Sequence, residues 1–180
     1  MKNENQQLCS DIKLLITDVD GVLTDGKISI SSDGTESKMF CVEDGTGFAI
    51  AKFAELPVIF LSGRYSKATQ IRAEELKIDV CIQGCLDKRK KLYEIRDQRN
   101  IDLSNIAYIG DGLVDIPVLE EVGFPIGVNN AHPLVKKKAK YITHANGGEG
   151  VISEVVEYIL RKQNKYMSTI EIMKKEVFKI

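Results

Sequence analysis

Two aspartates near the start of the chain are spaced for chemistry on a phosphate ester. Asp18 and Asp20 come directly after the apolar run Leu14–Thr17 and are separated by one residue. In extended backbone, residues two apart point to the same side, which places their carboxylates roughly 6–7 Å from each other. One carboxylate can attack phosphorus, while the other protonates the leaving oxygen and then activates the hydrolytic water. The two residues therefore form a candidate catalytic pair.

A second pair of aspartates offers oxygen ligands for a cation. Asp111 and Asp115 follow the apolar run Ile106–Ile109 and lie four residues apart, so they can share one face at the entry to a helix. Mg²⁺ is usually held by a few carboxylates together with substrate phosphate and water. The predicted ligands of a Mg²⁺ ion are Asp18, Asp20, Asp111 and Asp115.

Candidate phosphate-binding groups follow two further apolar runs. Ser62 comes after Val58–Leu61 and can donate a hydrogen bond to a phosphate oxygen, helped by backbone N–H groups at a helix start. Gly63 permits close approach of the backbone. Lys88, at the start of a predicted helix, offers a positive charge for the negative charge of the transition state. We expect these three residues to hold phosphate.

Three cations after the second strand are candidate contacts for a substrate carboxylate. They are Arg64, Lys67 and Arg72. A charged helix start is a solvated surface about as often, so both interpretations stay open. Each motif by itself also has a structural explanation, because Asp-x-Asp at a strand end is often a turn or a helix cap. The order of the clusters, each after an apolar run, favours a functional site.

The elements that must position these residues alternate along the chain. The predicted strands are Leu14–Thr17, Val58–Leu61, Val80–Gln83, Ile106–Ile109 and Phe124–Val128. The predicted helices are Thr46–Glu55, Ser66–Leu76, Asp87–Arg99, Val114–Val122, Pro133–Ala139 and a final helix with an apolar stripe over 151–160. Buried strands alternating with helices predict an α/β fold, with a doubly wound, Rossmann-like parallel sheet. Ligands bind beyond the carboxyl ends of such strands, where the polar clusters lie.

One segment departs from this alternation. Lys27–Ile30 and Ser37–Val42 flank a turn that contains Gly34, which predicts a small protruding β-hairpin and leaves no room for a cap domain. No linker divides the chain, so we predict a single domain over 1–180, with a core of about 12–161 and a C-terminal tail over 162–180. The tail carries an apolar stripe that we expect to dock on its own or a neighbouring subunit.

Composition limits the class of protein. The chain has 180 residues, of which 43% are hydrophobic and 28% charged, and a formal net charge of −1. This size suits one buried core, and the dispersed charge indicates no nucleic-acid or membrane partner. The start of the chain lacks the apolar run of a signal peptide. The four cysteines are expected to be buried, reduced thiols, and the predicted location is cytoplasmic.

Together these motifs resemble those of the haloacid dehalogenase superfamily of phosphatases. The first motif is Asp18–Gly26, and Ser62, Lys88 and Gly110–Asp111 with Asp115 match the second, third and fourth. The resemblance implies that Asp18 is the nucleophile and Asp20 the acid and base. It also implies that Asp18, the backbone carbonyl of Asp20 and Asp111 bind Mg²⁺.

The short gap between the first two motifs is similar to the capless subgroup of this superfamily. Its best-known members hydrolyse 3-deoxy-D-manno-octulosonate 8-phosphate in lipopolysaccharide precursor synthesis. The resemblance therefore implies a sugar acid phosphate as substrate. It also implies a homotetramer built by the hairpins, in which a neighbouring subunit helps to close each active site.

Two departures from the subgroup's pattern keep alternatives open. Gly112 replaces the second aspartate of a Gly-Asp-Asp motif, and Ser153-Glu154 stand where the subgroup often has an arginine. A phosphatase acting on a nine-carbon, sialic-acid-type 9-phosphate is one alternative. A catalytically weak domain that serves assembly is the other. Arg64 favours the eight-carbon substrate, because the nine-carbon enzymes can carry an acidic residue there.

Overall fold

The core of the structure, a computed structural model that describes residues 8–179, is a parallel β-sheet. The strands are β1 Leu14–Thr17, β2 Ser29–Ile30, β3 Glu36–Ser37, β4 Val58–Leu61, β5 Val80–Ile82, β6 Ile106–Gly110, β7 Phe124–Gly127 and β8 Tyr141–Ile142. Six of them form the parallel sheet in the order β5–β4–β1–β6–β7–β8, and β2 pairs with β3 in an antiparallel hairpin. At the centre, Ile16 lies opposite Ile59 on one side and Tyr108 on the other.

Helices cover both faces of the sheet. They are α1 Val42–Phe53, α2 Lys67–Glu75, α3 Lys88–Arg99, α4 Ile116–Leu119, α5 Pro133–Lys138, α6 Val151–Lys162 and α7 Tyr166–Met173. Helices α1, α6 and α7 pack together as one group, and α3, α4 and α5 pack as another. Strands β1, β4, β6 and β7 are buried at every residue, as expected for strands covered on both faces. The predicted doubly wound α/β fold is confirmed.

Only the hairpin and α1 lie between β1 and β4, so no cap domain covers the edge of the sheet, as predicted. The hairpin is shorter than expected, because β3 ends at Ser37 instead of continuing to Val42. Helix α1 begins at Val42 rather than at Thr46, because Asp44 in its first turn is buried and accepts a hydrogen bond from the backbone N–H of Ile152 at 2.8 Å.

Two other elements differ from the sequence-based expectation. The helix predicted over 114–122 is shorter, since a 3₁₀ turn over Leu113–Asp115 precedes α4. The side chain of Asp115 points inward and accepts backbone hydrogen bonds within this turn, which holds it tight. Strand β8, only two residues long, was not predicted, because its half-exposed residues give no apolar run.

The C-terminal segments dock on the rest of the chain. The predicted apolar stripe of α6 is fully buried and consists of Val151, Ile152, Val155, Val156, Ile159 and Leu160. Helix α7 packs against α1 and α6 of its own chain, with Ile170 and Met173 against the core. The division into a core of about 12–161 and a tail stays a prediction.

All four cysteines are free thiols. Cys9 is buried, and Cys41, Cys81 and Cys85 are half-buried, so the predicted burial holds only for Cys9.

Across residues 8–179, no helix combines the length and the apolar character needed to cross a membrane.

Candidate active site

Polar side chains from four separate elements meet at the carboxyl edge of the sheet. Asp18 follows β1, Ser62 follows β4, Lys88 opens α3, and Asp111 follows β6. Asp18, Ser62 and Lys88 are buried, although a folded core needs no polar groups there. Neighbouring parallel strands end at the same edge, and this places side chains far apart in sequence within contact distance of one another.

Lys88 lies at the centre of this group. Its Nζ is 2.7 Å from Oδ2 of Asp18 and 2.7 Å from Oδ1 of Asp115. Burial disfavours the charge on this amine, but the two neighbouring carboxylates outweigh burial and raise the pKa of Lys88. Lys88 is therefore a protonated, fully buried cation next to the aspartate at the end of β1.

Asp115 is fully buried and engaged on both oxygens. Its Oδ2 accepts hydrogen bonds from the backbone N–H groups of Asp111 and Gly112, each at 3.0 Å. Its Oδ1 accepts one from the hydroxyl of Tyr108 at 2.5 Å, besides the contact with Lys88. These bonds fix Asp115 beside Lys88 and make it a support for that cation.

Tyr108 belongs to the site although no sequence motif points to it. It lies within the apolar run of β6, is fully buried, and its hydroxyl contacts both Asp115 and the amine of Lys88, the latter at 3.2 Å. Burial, followed by the nearby carboxylates, raises the pKa of Tyr108 well above its usual value. A tyrosine inside a strand buried on both faces needs a polar partner for its hydroxyl, and this was the available signal.

Three carboxylates form a group that fits a divalent cation. Oxygen atoms of Asp18, Asp111 and Asp115 lie within 4.8 Å of one another. Burial, reinforced by Asp115, raises the pKa of Asp18 to about 7 and that of Asp111 to about 6. A bound cation stabilises close, buried carboxylates of this kind, because its positive charge offsets their mutual repulsion. A donor set made only of oxygen atoms suits Mg²⁺.

The backbone after β1 is shaped to admit Asp111. Gly21 has a φ of +87°, in the left-handed region, and a Cβ built there would lie 2.1 Å from Oδ2 of Asp111. Only glycine permits both the turn and this close approach. The glycine after Asp20 therefore allows the first and fourth motifs to meet.

Asp20 lies beside this group of carboxylates and has a different partner. Its Oδ1 accepts a hydrogen bond from Nζ of Lys38 at 2.5 Å, and Lys38 comes from the end of the hairpin. Arg64 lies 3.8 Å from Oδ2 of Asp20 and forms a closer ion pair, at 2.9 Å, with Glu36 of β3. The contact of Lys38 with the site was not predicted, because nothing in the local pattern sets it apart from other hairpin residues.

The remaining predicted site residues differ in position. Ser62 Oγ accepts a hydrogen bond from the backbone N–H of Arg64 at 3.3 Å. A Cβ built on Gly63 would lie 3.6 Å from Cδ2 of Leu86, which is an ordinary contact distance. Lys67 is exposed at the start of α2. Arg72 donates to the backbone oxygen of Cys41 and pairs with Glu75, so it has partners in its own chain. The substrate-binding roles of these residues stay predictions.

A family model described as haloacid dehalogenase-like hydrolase matches residues 61–155, which is more than half of the chain. The chain belongs to the haloacid dehalogenase-like hydrolases. The resemblance inferred from the motifs is thereby confirmed.

Curated and solved relatives within the haloacid dehalogenase-like hydrolases are similar over most of their length. The 3-deoxy-D-manno-octulosonate 8-phosphate phosphatase of Salmonella typhi is 40% identical over 155 residues, which is 86% of this chain and 82% of that protein. That of Yersinia pestis is 40% identical over 159 residues, covering 88% and 85%.

Solved structures of this group of haloacid dehalogenase-like hydrolases agree with the fold. The phosphatase of the same name from Moraxella catarrhalis, in complex with magnesium ion, phosphate ion and KDO, superposes with a TM-score of 0.92 at 40% identity. The superposition covers 96% of this chain and 99% of that one. The cobalt-bound enzyme from Haemophilus influenzae gives a TM-score of 0.85 at 35% identity, over 89% and 94%.

Proposed function

We propose that this chain is a Mg²⁺-dependent phosphatase that hydrolyses 3-deoxy-D-manno-octulosonate 8-phosphate through a phosphorylated Asp18. The observation that carries the proposal is the position of Asp18, which is buried at the end of β1 with a cation on one oxygen and two further carboxylates within ligand distance. An aspartate held in this way can act as a nucleophile, because its oxygen faces a site already arranged for negative charge.

The chain itself holds the proposed nucleophile in place. Oδ1 of Asp18 accepts a hydrogen bond from the backbone N–H of Val19 at 2.6 Å, and Oδ2 contacts Lys88. In the first step, an oxygen of Asp18 forms a bond to phosphorus and the ester P–O bond breaks. The leaving oxygen takes a proton from Asp20. Water then attacks phosphorus and gives its proton to Asp20, and the acyl-phosphate bond breaks to return free Asp18 and inorganic phosphate.

The same residues provide the binding of phosphate and cation. We assign Ser62, Gly63 and Lys88 to the phosphoryl oxygens, since Lys88 is a buried cation next to Asp18. Asp18 and Asp111, with the backbone carbonyl of Asp20, are the proposed Mg²⁺ ligands. When bound, Mg²⁺ supplies positive charge that offsets the repulsion between phosphate and carboxylate. Asp115 is near enough to contribute, but its bonds to Lys88 and Tyr108 favour a supporting role.

The substrate is proposed as the eight-carbon sugar acid phosphate. Relatives that are 35–40% identical over most of the chain carry that activity in their names. Arg64 borders Asp20, where a substrate carboxylate can reach it, and it is nearly half exposed. A nine-carbon 9-phosphate is less favoured because the similar phosphatases from Salmonella typhi, Yersinia pestis and Moraxella catarrhalis are named for the eight-carbon substrate. A domain that serves assembly alone is disfavoured because Asp18, Lys88 and Asp111 meet in one intact site.

We also propose a cytoplasmic homotetramer in which neighbouring subunits help to close each active site. Several apolar side chains on and after the hairpin are exposed, which favours burial against another subunit. They are Ile28, Ile30, Met39 and Val42. The four free cysteines agree with a reducing compartment. The proposed pathway is lipopolysaccharide precursor synthesis.

Phosphate release from purified protein tests the proposal. The substrates are 3-deoxy-D-manno-octulosonate 8-phosphate, a nine-carbon 9-phosphate and glucose 6-phosphate, each with Mg²⁺ and with EDTA. We expect Mg²⁺-dependent release with preference for the first substrate. Asp18→Asn should abolish it, because an amide is a poor nucleophile. Asp97→Asn, at an exposed aspartate of α3, is the matched control. Comparable turnover by Asp18→Asn would exclude the covalent mechanism, and preference for another substrate would exclude the substrate assignment.

A further inference from the structure

The hairpin places one fully buried cation, the amine of Lys38, in the candidate active site. The side chain of Lys38 has 0% exposure, although the strands before it are largely exposed. Its Nζ lies 2.5 Å from Oδ1 of Asp20 and 3.2 Å from the hydroxyl of Thr69 in α2, with Glu36 at 3.7 Å. Lys38 therefore ties the hairpin to the proposed acid and base.

The two oxygens of Asp20 are not equivalent in this arrangement. Oδ1 is bonded to Lys38, whereas Oδ2 is buried and has no hydrogen-bond partner within residues 8–179. The guanidinium of Arg64 lies 3.8 Å from Oδ2, which is too far for a hydrogen bond. A buried carboxylate oxygen without a partner is costly, so it is retained where it has a function. Oδ2 is the oxygen that is free to exchange a proton.

The ion pair between Lys38 and Asp20 contributes little to folding by itself. Replacing such a buried pair by apolar side chains of similar size is often neutral or stabilising, because both charges lose their hydration. Its contribution is therefore orientation: one bond from a rigidly packed amine fixes the direction in which the carboxylate points.

We infer that Lys38 is a positioning residue for Asp20, holding Oδ1 so that Oδ2 faces the oxygen of the scissile ester. This inference rests on the proposed function. In the step it serves, Asp18 bonds to phosphorus, the ester P–O bond breaks, and the proton on Oδ2 moves to the leaving oxygen. Loss of Lys38 frees the Asp20 side chain to rotate, and that proton transfer becomes slow.

The leaving group distinguishes positioning from a structural role. An alkoxide from a sugar needs a proton as it departs, whereas p-nitrophenolate is a weak base that departs without one. Loss of proton donation by Asp20 alone therefore slows release of the sugar and leaves the rate of p-nitrophenolate release unchanged. Damage to Asp18, Lys88 or the fold slows both.

The experiment measures the first turnover by rapid quench for Lys38→Met, with 3-deoxy-D-manno-octulosonate 8-phosphate and with p-nitrophenyl phosphate. We expect release of the sugar acid to slow about tenfold or more, and release of p-nitrophenolate to change less than about twofold. Asp20→Asn should show the same selective pattern. Lys38→Arg should restore most of the rate, because it returns a cation to the same carboxylate. Lys27→Met, on an exposed lysine of the same hairpin segment, should match the wild type.

Rates are normalised to the amount of enzyme phosphorylated, so partial unfolding does not alter their ratio, and Lys38→Gln is measured in parallel. Equal slowing of both substrates, or no slowing of either, would overturn the inference. Wild-type protein that released phosphate from neither substrate would instead refute the proposed function, so the two failures are distinguishable.

Discussion

The amine of Lys88 and the carboxylate of Asp115 form an ion pair of 2.7 Å in which neither side chain is exposed. Both groups have further partners, since Asp115 also accepts bonds from Tyr108 and from two backbone N–H groups. Because the hydrogen-bonding capacity of both groups is satisfied, the pair keeps Lys88 charged and fixed in position next to the proposed nucleophile.

Removing Asp115 should therefore cost both stability and activity. Asp115→Ala breaks the buried ion pair with Lys88, and we expect a loss of about 3–5 kcal/mol in the free energy of unfolding. It also leaves the O–H of Tyr108 and two partly buried backbone N–H groups without an acceptor. Urea denaturation followed by circular dichroism measures it. Asp97→Ala, at an exposed aspartate of α3, should change stability by less than about 0.5 kcal/mol. A similarly small effect at Asp115 would contradict the role described for this pair.

Asp20 and Asp111 should differ in their contribution to metal binding. Asp20→Asn keeps the backbone carbonyl, so Mg²⁺ affinity measured by isothermal titration calorimetry should stay within about twofold of the wild type. Asp111→Ala removes a carboxylate from the acidic group and should weaken affinity by about tenfold or more, which corresponds to about 1.4 kcal/mol. Equal weakening by both substitutions would show that the side chain of Asp20 is itself a ligand.

Arg64 should contribute to recognition of the sugar acid more than to phosphate chemistry. Arg64→Ala is expected to raise KM for 3-deoxy-D-manno-octulosonate 8-phosphate by about tenfold, or about 1.4 kcal/mol, because it removes a cation for the carboxylate. Hydrolysis of p-nitrophenyl phosphate, which has no carboxylate, should barely change. Arg89→Ala, at an exposed arginine of α3, is the control. An equal loss of activity with both substrates would show that Arg64 binds the phosphate or stabilises the fold.

The hairpin should hold the proposed tetramer together. Ile30 is 67% exposed in β2, and an exposed apolar strand with unpaired edges favours association. We expect a tetramer by light scattering at micromolar concentration, and Ile30→Glu should dissociate it because a charge would be buried at the interface. Ser32→Glu, at the exposed turn, should leave it intact. A monomeric wild-type protein would contradict the shared active site.

Stability should fall with rising pH through the titration of Asp44. Burial raises the pKa of its carboxyl from 3.8 to about 6 in the folded chain. The folded state therefore binds this proton more tightly than the unfolded state, and the stabilisation is complete below about pH 4 and lost as pH rises through about 6. Melting temperatures of the wild type should drop across this window relative to Asp44→Asn, which has no such proton. Parallel curves for the two proteins, both measured in EDTA, would refute the shift.

The sequence alone was sufficient to predict much of this protein. The four central strands are recognisable as apolar runs, because strands covered on both faces must be apolar at every position. Asp18, Ser62 and Asp111 follow from their place directly after those runs, since parallel strands end at a common edge. Lys88 follows from its place at the start of the helix after β5. Local pattern and chain direction together determine these features.

Only the tertiary structure decided which polar groups pair. The contact of Lys38 with Asp20 joins a hairpin to a strand end, and that of Tyr108 with Asp115 joins a buried strand to the following turn. The hairpin's early end at Ser37 likewise depends on what packs beside it. Such contacts depend on side-chain direction and on burial by neighbouring elements. Neither is encoded in periodicity, because periodicity reports only which face of one element is apolar.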